Sequence, residues 1–180
     1  QLDFSNKSFQ LKGLLDLDLA YERSTLKNNL NFDGNVYGFS LNDLKMGDLS
    51  FFTDGNTQSN SYDINLLLSD EGNETLVGNG KIIGINDKPN LDVDLYLKQF
   101  NLSFLNPIGK GEIDNIRGMV SGEINLNGTI KDLKHDGKLI LENGGLAITD
   151  VNTDYAFKSG TIVNLNNQTL MHLNSKLDFA

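Results

Sequence analysis

Two histidines are the first candidates for acid-base or metal chemistry in this sequence. His135 stands between a lysine and an aspartate, and His172 lies among apolar residues. An imidazole at either place could act as a general base or bind a metal ion. Because the two histidines are far apart and in unrelated surroundings, we expect an exposed turn histidine at His135 and a strand-face histidine at His172.

Two pairs of aspartates offer a second kind of site. Asp16 and Asp18, and again Asp92 and Asp94, are two residues apart, which places both carboxylates of a pair on one face of a strand. Such a pair could bind Ca²⁺ or act as an acid and a base. Since neither pair is followed by the further ligands of a calcium loop, we expect a charged outer face that keeps a sheet soluble and limits edge pairing.

The sequence contains no motif for catalysis or cofactor binding. Gly78-Asn79-Gly80 with Gly84 is similar to a dinucleotide fingerprint, but no helical pattern follows it, and that motif functions at a strand-to-helix turn. The absence of cysteine excludes disulfides, thiol chemistry and cysteine zinc sites. We therefore expect a protein that is not an enzyme, with no catalytic residue, no metal site and no cofactor.

The charge of the chain limits its partners. Its 180 residues include 15 basic and 24 acidic side chains, for a net charge of −9. Such a chain repels phosphate, so we expect no nucleic-acid partner. No apolar run approaches the roughly 20 residues of a membrane helix.

Apolar and polar residues alternate along nearly every segment. Residues 15–21 place three leucines and a tyrosine on one face and two aspartates on the other, and residues 91–97 repeat the pattern. Residues 116–128 are the longest example, and Gly118, Gly122 and Gly128 could be places where the sheet bends or where the space on its apolar face widens. This period of two predicts half-buried strands with one apolar face and one wet face.

Turn signals separate these segments at intervals that predict more than ten antiparallel strands. The predicted turns are Asp33-Gly34-Asn35, Asp54-Gly55-Asn56, Asp70-Glu71-Gly72-Asn73, Asn86-Asp87-Lys88-Pro89, Asp136-Gly137 and Asn143-Gly144-Gly145. Residues 101–115 break the pattern and predict a short helix or an ordered loop, because Pro107 and the following glycines argue against a long helix.

The order of motifs over residues 91–163 resembles the TamB (translocation and assembly module) family and the broader AsmA-like group. Residues 118–130 form a Gly-x-hydrophobic-x-Gly strand with a Gly-Thr turn, residues 136–148 a second strand that starts with glycine, and residues 152–157 an Asn-Thr-x-Tyr strand. The family often has a proline after the Gly-Thr turn, where this chain has Leu133-Lys134-His135.

The resemblance implies a fold, a location and a function. The fold would be a long curled antiparallel sheet, an open trough or β-taco with an apolar concave face. The chain would be one β-rich segment, residues 1–180, of a larger periplasmic protein anchored in the inner membrane of a two-membrane bacterium through a segment outside this sequence. The family acts in outer-membrane biogenesis, protein assembly beside a BamA-like barrel protein, and phospholipid transport.

The apolar face is the expected site, a groove for phospholipid acyl chains. Its expected lining is Leu15, Leu17, Leu19, Leu91, Val93, Leu95, Val120, Ile124, Leu126, Leu139, Leu141, Tyr155 and Phe157. The alternative is a chaperone or scaffold that pairs its strand edges with outer-membrane client strands and conducts no lipid. An adhesin-like or carbohydrate-binding protein is a third hypothesis, disfavoured because most aromatic residues share the apolar face.

Overall fold

The fold is one antiparallel sheet in which each strand pairs with its neighbours in sequence. The computed structural model describes residues 2–5, 10–23, 28–85, 88–107, 112–129, 132–165 and 168–174. Its strands are β1 (Leu2–Ser5), β2 (Gln10–Arg23), β3 (Asn28–Leu41), β4 (Leu44–Asn56), β5 (Ser61–Asp70), β6 (Asn73–Ile83), β7 (Asn90–Asn101), β8 (Ile113–Thr129), β9 (Asp132–Ile148), β10 (Thr153–Leu165) and β11 (Gln168–Asn174). These eleven strands lie in sequence order across the sheet, which confirms the expected all-β class and strand number.

The sheet is curled, and its apolar face is on the inside of the curl. A flat single sheet leaves both faces in water, yet Val36, Leu68 and Val120 are only 3%, 2% and 3% exposed. Among the described residues no second sheet packs on these side chains. The sheet must therefore curl to cover them. This confirms the predicted trough with an apolar concave face.

Glycines in β8 allow part of this curvature. Gly118, Gly122 and Gly128 have φ values of 123°, 136° and 120°, a conformation that residues with a side chain rarely adopt. A Cβ atom at Gly122 would overlap the carbonyl oxygen of Lys138 on β9. The strand pairing is also irregular between Leu97 and Phe100 and between Arg117 and Met119. Such bulges bend a strand and increase its twist.

Two hairpins have the tight turn that a right-handed twist favours. Both central residues have positive φ in Asn42-Asp43, between β3 and β4, and in Glu71-Gly72, between β5 and β6. The turn predicted over residues 70–73 is confirmed. The residues predicted at 54–56 end β4, and the chain turns directly after them. Asn86-Asp87 lies outside the described residues.

Three predicted turns are wrong. Residues 33–35 lie inside β3, and residues 136–137 and 143–145 lie inside β9. His135, expected in a turn, is also in β9, opposite Leu126 of β8. Gly34 allows a close approach, because a Cβ atom there would overlap the ring of Phe51 on β4. These glycines make room for neighbours within the sheet and do not reverse the chain.

The predicted break near residue 102 is a single turn of 3-10 helix, η1 (Leu102–Leu105). The side chain of Asn101 caps it by accepting a hydrogen bond from the Ser103 amide at 2.9 Å. The side-chain amide of Asn106 donates to the Ile116 carbonyl of β8 at 2.9 Å, and its oxygen accepts from the Ile116 amide. The predicted short helix is confirmed, while residues 108–111 lie outside the described residues.

The segment η1 covers one end of the trough. Its Phe104 ring meets the ring of Phe100 edge-on, with centroids 5.4 Å apart. The side-chain amide of Asn42, in the β3–β4 turn, donates to the Phe104 carbonyl at 3.2 Å. Because β4 and β7 are three strands apart, about 14 Å in a flat sheet, this hydrogen bond bridges the two sides of the curl.

Candidate functional site: the apolar face of the curled sheet

The strand register aligns the apolar side chains into rows that run across the sheet, perpendicular to the strands. We call each row a rung and name it after its residue in β2. The Leu17 rung contains, in strand order, Leu17, Gly34, Phe51, Leu66, Gly78, Leu95, Ile124 and Gly137. Direct cross-strand neighbours lie close enough to pack side by side. Each rung is therefore a mainly apolar row, and the Leu19 rung also contains Thr53 and His135.

Nine of the thirteen predicted lining residues lie on four rungs, and two more pair with each other beside them. The Leu15 rung includes Leu139, the Leu17 rung includes Leu95 and Ile124, the Leu19 rung includes Val93 and Leu126, the Tyr21 rung includes Leu91, and Val120 pairs with Leu141 beside the Leu15 rung. In the described residues the four rungs contain no Asp, Glu, Lys or Arg. The structure thus brings these predicted residues onto one face whose only titratable side chains in the described rungs are tyrosines and His135.

Tyr155 and Phe157 reach the same side of the sheet through an irregular part of β9. They pair with Leu146 and Gly144. Asn143 has a φ of 50°, and a Cβ atom at Gly144 would lie within 2.6 Å of the side chain of Leu141. The pair of Gly144 and Phe157 therefore faces the side on which Leu141 lies.

Exposure of the apolar face changes along the sheet. Leu17, Leu19 and Tyr21 in β2 are 44%, 60% and 57% exposed. The buried apolar residues lie further along the sheet: Val36, Met46, Tyr62, Leu68, Val93, Val120 and Leu141. The apolar face is thus largely covered by its own side chains in the middle of the sheet and open to solvent at β2.

The sequence prediction missed several residues of this face. Strand β5 contributes one residue to each of the four rungs, and each pairs with the β4 and β6 members of its rung. These residues are Tyr62, Ile64, Leu66 and Leu68. Their period of two was present in the sequence. It was hidden by Leu67, an apolar residue on the opposite face that turned the pattern into an apolar run.

The other face, which we call the outer face, carries the acidic residues. Asp92 and Asp94 lie there, and the side-chain amide of Asn125 donates to both, at 3.3 and 2.8 Å. Lys81 forms an ion pair with Asp63 at 3.4 Å. Within the described part of the chain no group of acidic or histidine side chains has the arrangement of a metal site. The aspartates therefore form hydrogen bonds and ion pairs on a wet surface.

The described rungs offer apolar contact. The described helical residues do not include a segment that is long and apolar enough to cross a membrane. His172 lies on β11, opposite Thr161 of β10, as expected for a histidine on a strand. The chemistry that the site offers is apolar contact along the rungs.

Comparison with known proteins gives one match. The family model for the N-terminal domain of TamB matches residues 3–141. The match covers β1 to β8 and most of β9, so it includes the β2–β6 region that precedes the motifs described above. No curated protein and no solved structure matches the chain.

Proposed function

Since this chain belongs to the TamB family, a family of translocation and assembly modules, we propose that its apolar face is part of a periplasmic groove that conducts phospholipid acyl chains to the outer membrane. Membership of the family supports a role in TamB-type outer-membrane assembly and a place in the bacterial envelope. The lipid, the groove and the inner-membrane anchor are the proposed part. The family is a transport and assembly module, so the proposed role needs no catalytic residue.

The observation that supports this proposal is the continuity of the mainly apolar rungs. They run from β2 to β9, and the Leu15 rung continues to β11. Seven strand intervals, from β2 to β9, span about 34 Å at ~4.8 Å each. One acyl chain spans about half of the ~30 Å hydrocarbon core of a bilayer. The face is therefore longer than one acyl chain.

The energetics of such a face favour both binding and movement. Burying a sixteen-carbon chain is worth on the order of 12 kcal/mol gross, at ~0.8 kcal/mol per methylene. Because the rungs hold no Asp, Glu, Lys or Arg in the described residues and are mainly apolar, a similar gain is available along most of their length. A lipid on this face is held strongly and can still slide, as conduction requires.

The open β2 side gives the acyl chain a surface that the protein does not cover itself. Leu19 and Tyr21 are more than half exposed, and exposed apolar patches of this kind mark binding surfaces. At the opposite margin β11 ends the described strand order. Its edge supports a second candidate function, in which the sheet pairs with strands of client proteins beside a BamA-like barrel protein and conducts no lipid.

Native mass spectrometry with lipid extraction tests the proposal on protein purified from a bacterial envelope. The test variant is Ile124→Asp with Leu126→Asp, which places two carboxylates on neighbouring rungs. The matched control is Asn127→Asp, an exposed residue of the same strand that pairs with Asp92 on the outer face. Far-UV circular dichroism verifies that each variant keeps its strand content.

We expect phospholipid on the wild-type protein and on Asn127→Asp, and its loss from the double variant. If the wild-type protein carries no lipid, or the double variant keeps it, the groove proposal fails. In that case crosslinks from β11 to outer-membrane client strands would support the strand-pairing function instead.

A further inference from the structure

The outer face, polar over most of its area, carries an apolar strip at its centre. Leu67, Val77 and Tyr96 are consecutive cross-strand neighbours on β5, β6 and β7. Phe52 of β4 extends the strip, since it pairs with Asn65, two residues before Leu67. Phe52 and Tyr96 are 42% and 48% exposed. We call these four residues the outer strip.

Three residues of the outer strip, all but Tyr96, line a shallow groove with an acidic rim. The groove has a volume of about 310 Å³, and Phe52, Leu67 and Val77 line it together with Asp33 and Glu74. Asp33 is the direct cross-strand neighbour of Phe52. An apolar floor with carboxylates at its margin is complementary to a ligand that has apolar and basic side chains together.

The rim continues around Tyr96. Glu123 of β8 is its direct cross-strand neighbour, and Asp94 precedes it by two residues on the same face. Lys138, opposite Glu123 on β9, and Lys98, two residues after Tyr96 on the same face, balance part of this charge. The chain as a whole has a net charge of −9, so the field around the strip attracts cations.

We propose that the outer strip is a docking surface for a basic amphipathic helix of a partner protein. From β4 to β7 the strip spans three strand intervals, about 14 Å, which corresponds to roughly nine or ten residues of helix. Leucine-like side chains of the helix lie between Phe52 and Tyr96, and its lysines or arginines face Asp33 and Glu123. Anionic lipid surfaces and a second acidic copy of this chain are repelled by the same rim. The proposal uses the face opposite the rungs and does not rest on lipid conduction.

Binding of a defined peptide tests this surface on the 180-residue chain. The probe is a fluorescently labelled 14-residue peptide of leucine and lysine, with leucine at helical spacing, titrated by fluorescence anisotropy at low and high salt. The test variants are Tyr96→Ser, alone and combined with Phe52→Ser. The matched control is Ile140→Ser, a residue 46% exposed on β9 between Ser121 and Thr161. Thermal unfolding verifies that each variant is folded.

We expect Tyr96→Ser to raise the Kd at least fivefold and the double variant at least tenfold, with less than a twofold change for Ile140→Ser. High salt and the rim variant Asp33→Asn with Glu123→Gln weaken binding as well, because the attraction between the charges is screened or removed. The trough variant Ile124→Asp leaves the Kd unchanged, which distinguishes a failure of this proposal from a failure of the lipid proposal.

Four results would overturn the proposal. One is an equal loss of affinity in Ile140→Ser, and another is loss of peptide binding in Ile124→Asp, which would place the peptide in the trough. A third is binding of phosphatidylglycerol vesicles that the double variant abolishes, which would make the strip a membrane contact. The last is a dimer in analytical ultracentrifugation that the double variant dissociates, which would make it a contact between copies.

Discussion

Replacing leucine by alanine at two places on the apolar face measures where that face is open. Leu68 is 2% exposed in the middle of the sheet, and Leu19 is 60% exposed at the β2 side. Leu68→Ala should lower the free energy of unfolding by about 2–5 kcal/mol, since it removes buried carbons and leaves a cavity. Leu19→Ala removes about three carbons, which would be worth ~0.8 kcal/mol each if fully buried. Because less than half of the Leu19 side chain is covered, the free energy of unfolding should fall by only about 1 kcal/mol.

Urea unfolding followed by far-UV circular dichroism measures this contrast. With an m-value of about 2 kcal/mol per molar urea, the midpoint of Leu68→Ala should lie roughly 1 M or more below that of the wild type. The midpoint of Leu19→Ala should fall by no more than about half of that. Equal shifts would refute the reasoning, because they would mean that the protein itself covers Leu19 and that the β2 side is not open to a ligand.

Three further predictions concern the sheet itself. Gly55→Ala should lower the free energy of unfolding by about 1–3 kcal/mol, since the added Cβ atom would overlap the ring of Tyr62. Adding Tyr62→Leu should recover part of the loss. An unchanged urea midpoint in Gly55→Ala would contradict the prediction. Asn106→Ala should cost about 1–3 kcal/mol and speed amide hydrogen exchange at the start of β8, because the backbone amide and carbonyl of Ile116 lose their partner. Unaltered exchange there would contradict the prediction. Arg117→Gln should cost less than about 1 kcal/mol, because its ion pair with Asp154 at 2.8 Å is partly exposed; a urea midpoint lowered as much as in Leu68→Ala would contradict this.

Much of the fold could be predicted because strand alternation is local. Residues 15–21 and 91–97 show one apolar and one polar face without reference to any other segment. The strands of a sheet that follow one another in sequence need only short turns between them, so a chain of such segments predicts an antiparallel meander. The wrong turns at residues 33–35 and 136–137 arose because a glycine looks the same whether it reverses the chain or makes room for a neighbour.

The candidate site was predicted as a set of strand faces, but not as a surface. The leucines of β2 and the apolar residues of β7 and β8 were identified from their spacing. Leu66 and Leu68 were missed, because Leu67 obscured the alternation in β5. Tyr155 and Phe157 lie on the same side as Leu141 only because of the positive φ of Asn143.

The sequence by itself determined the class of the protein: an acidic, cysteine-free, all-β member of the TamB family with one apolar face on each strand. These properties depend on residue type and on spacing of a few residues. The tertiary structure alone decided which side chains share a rung, which parts of the face are covered, where η1 bridges the curl, and that Phe52 and Tyr96 meet on the outer face. Those features depend on the cross-strand register and on the curvature of the whole sheet, which arise from pairing between segments and are not encoded in any single strand.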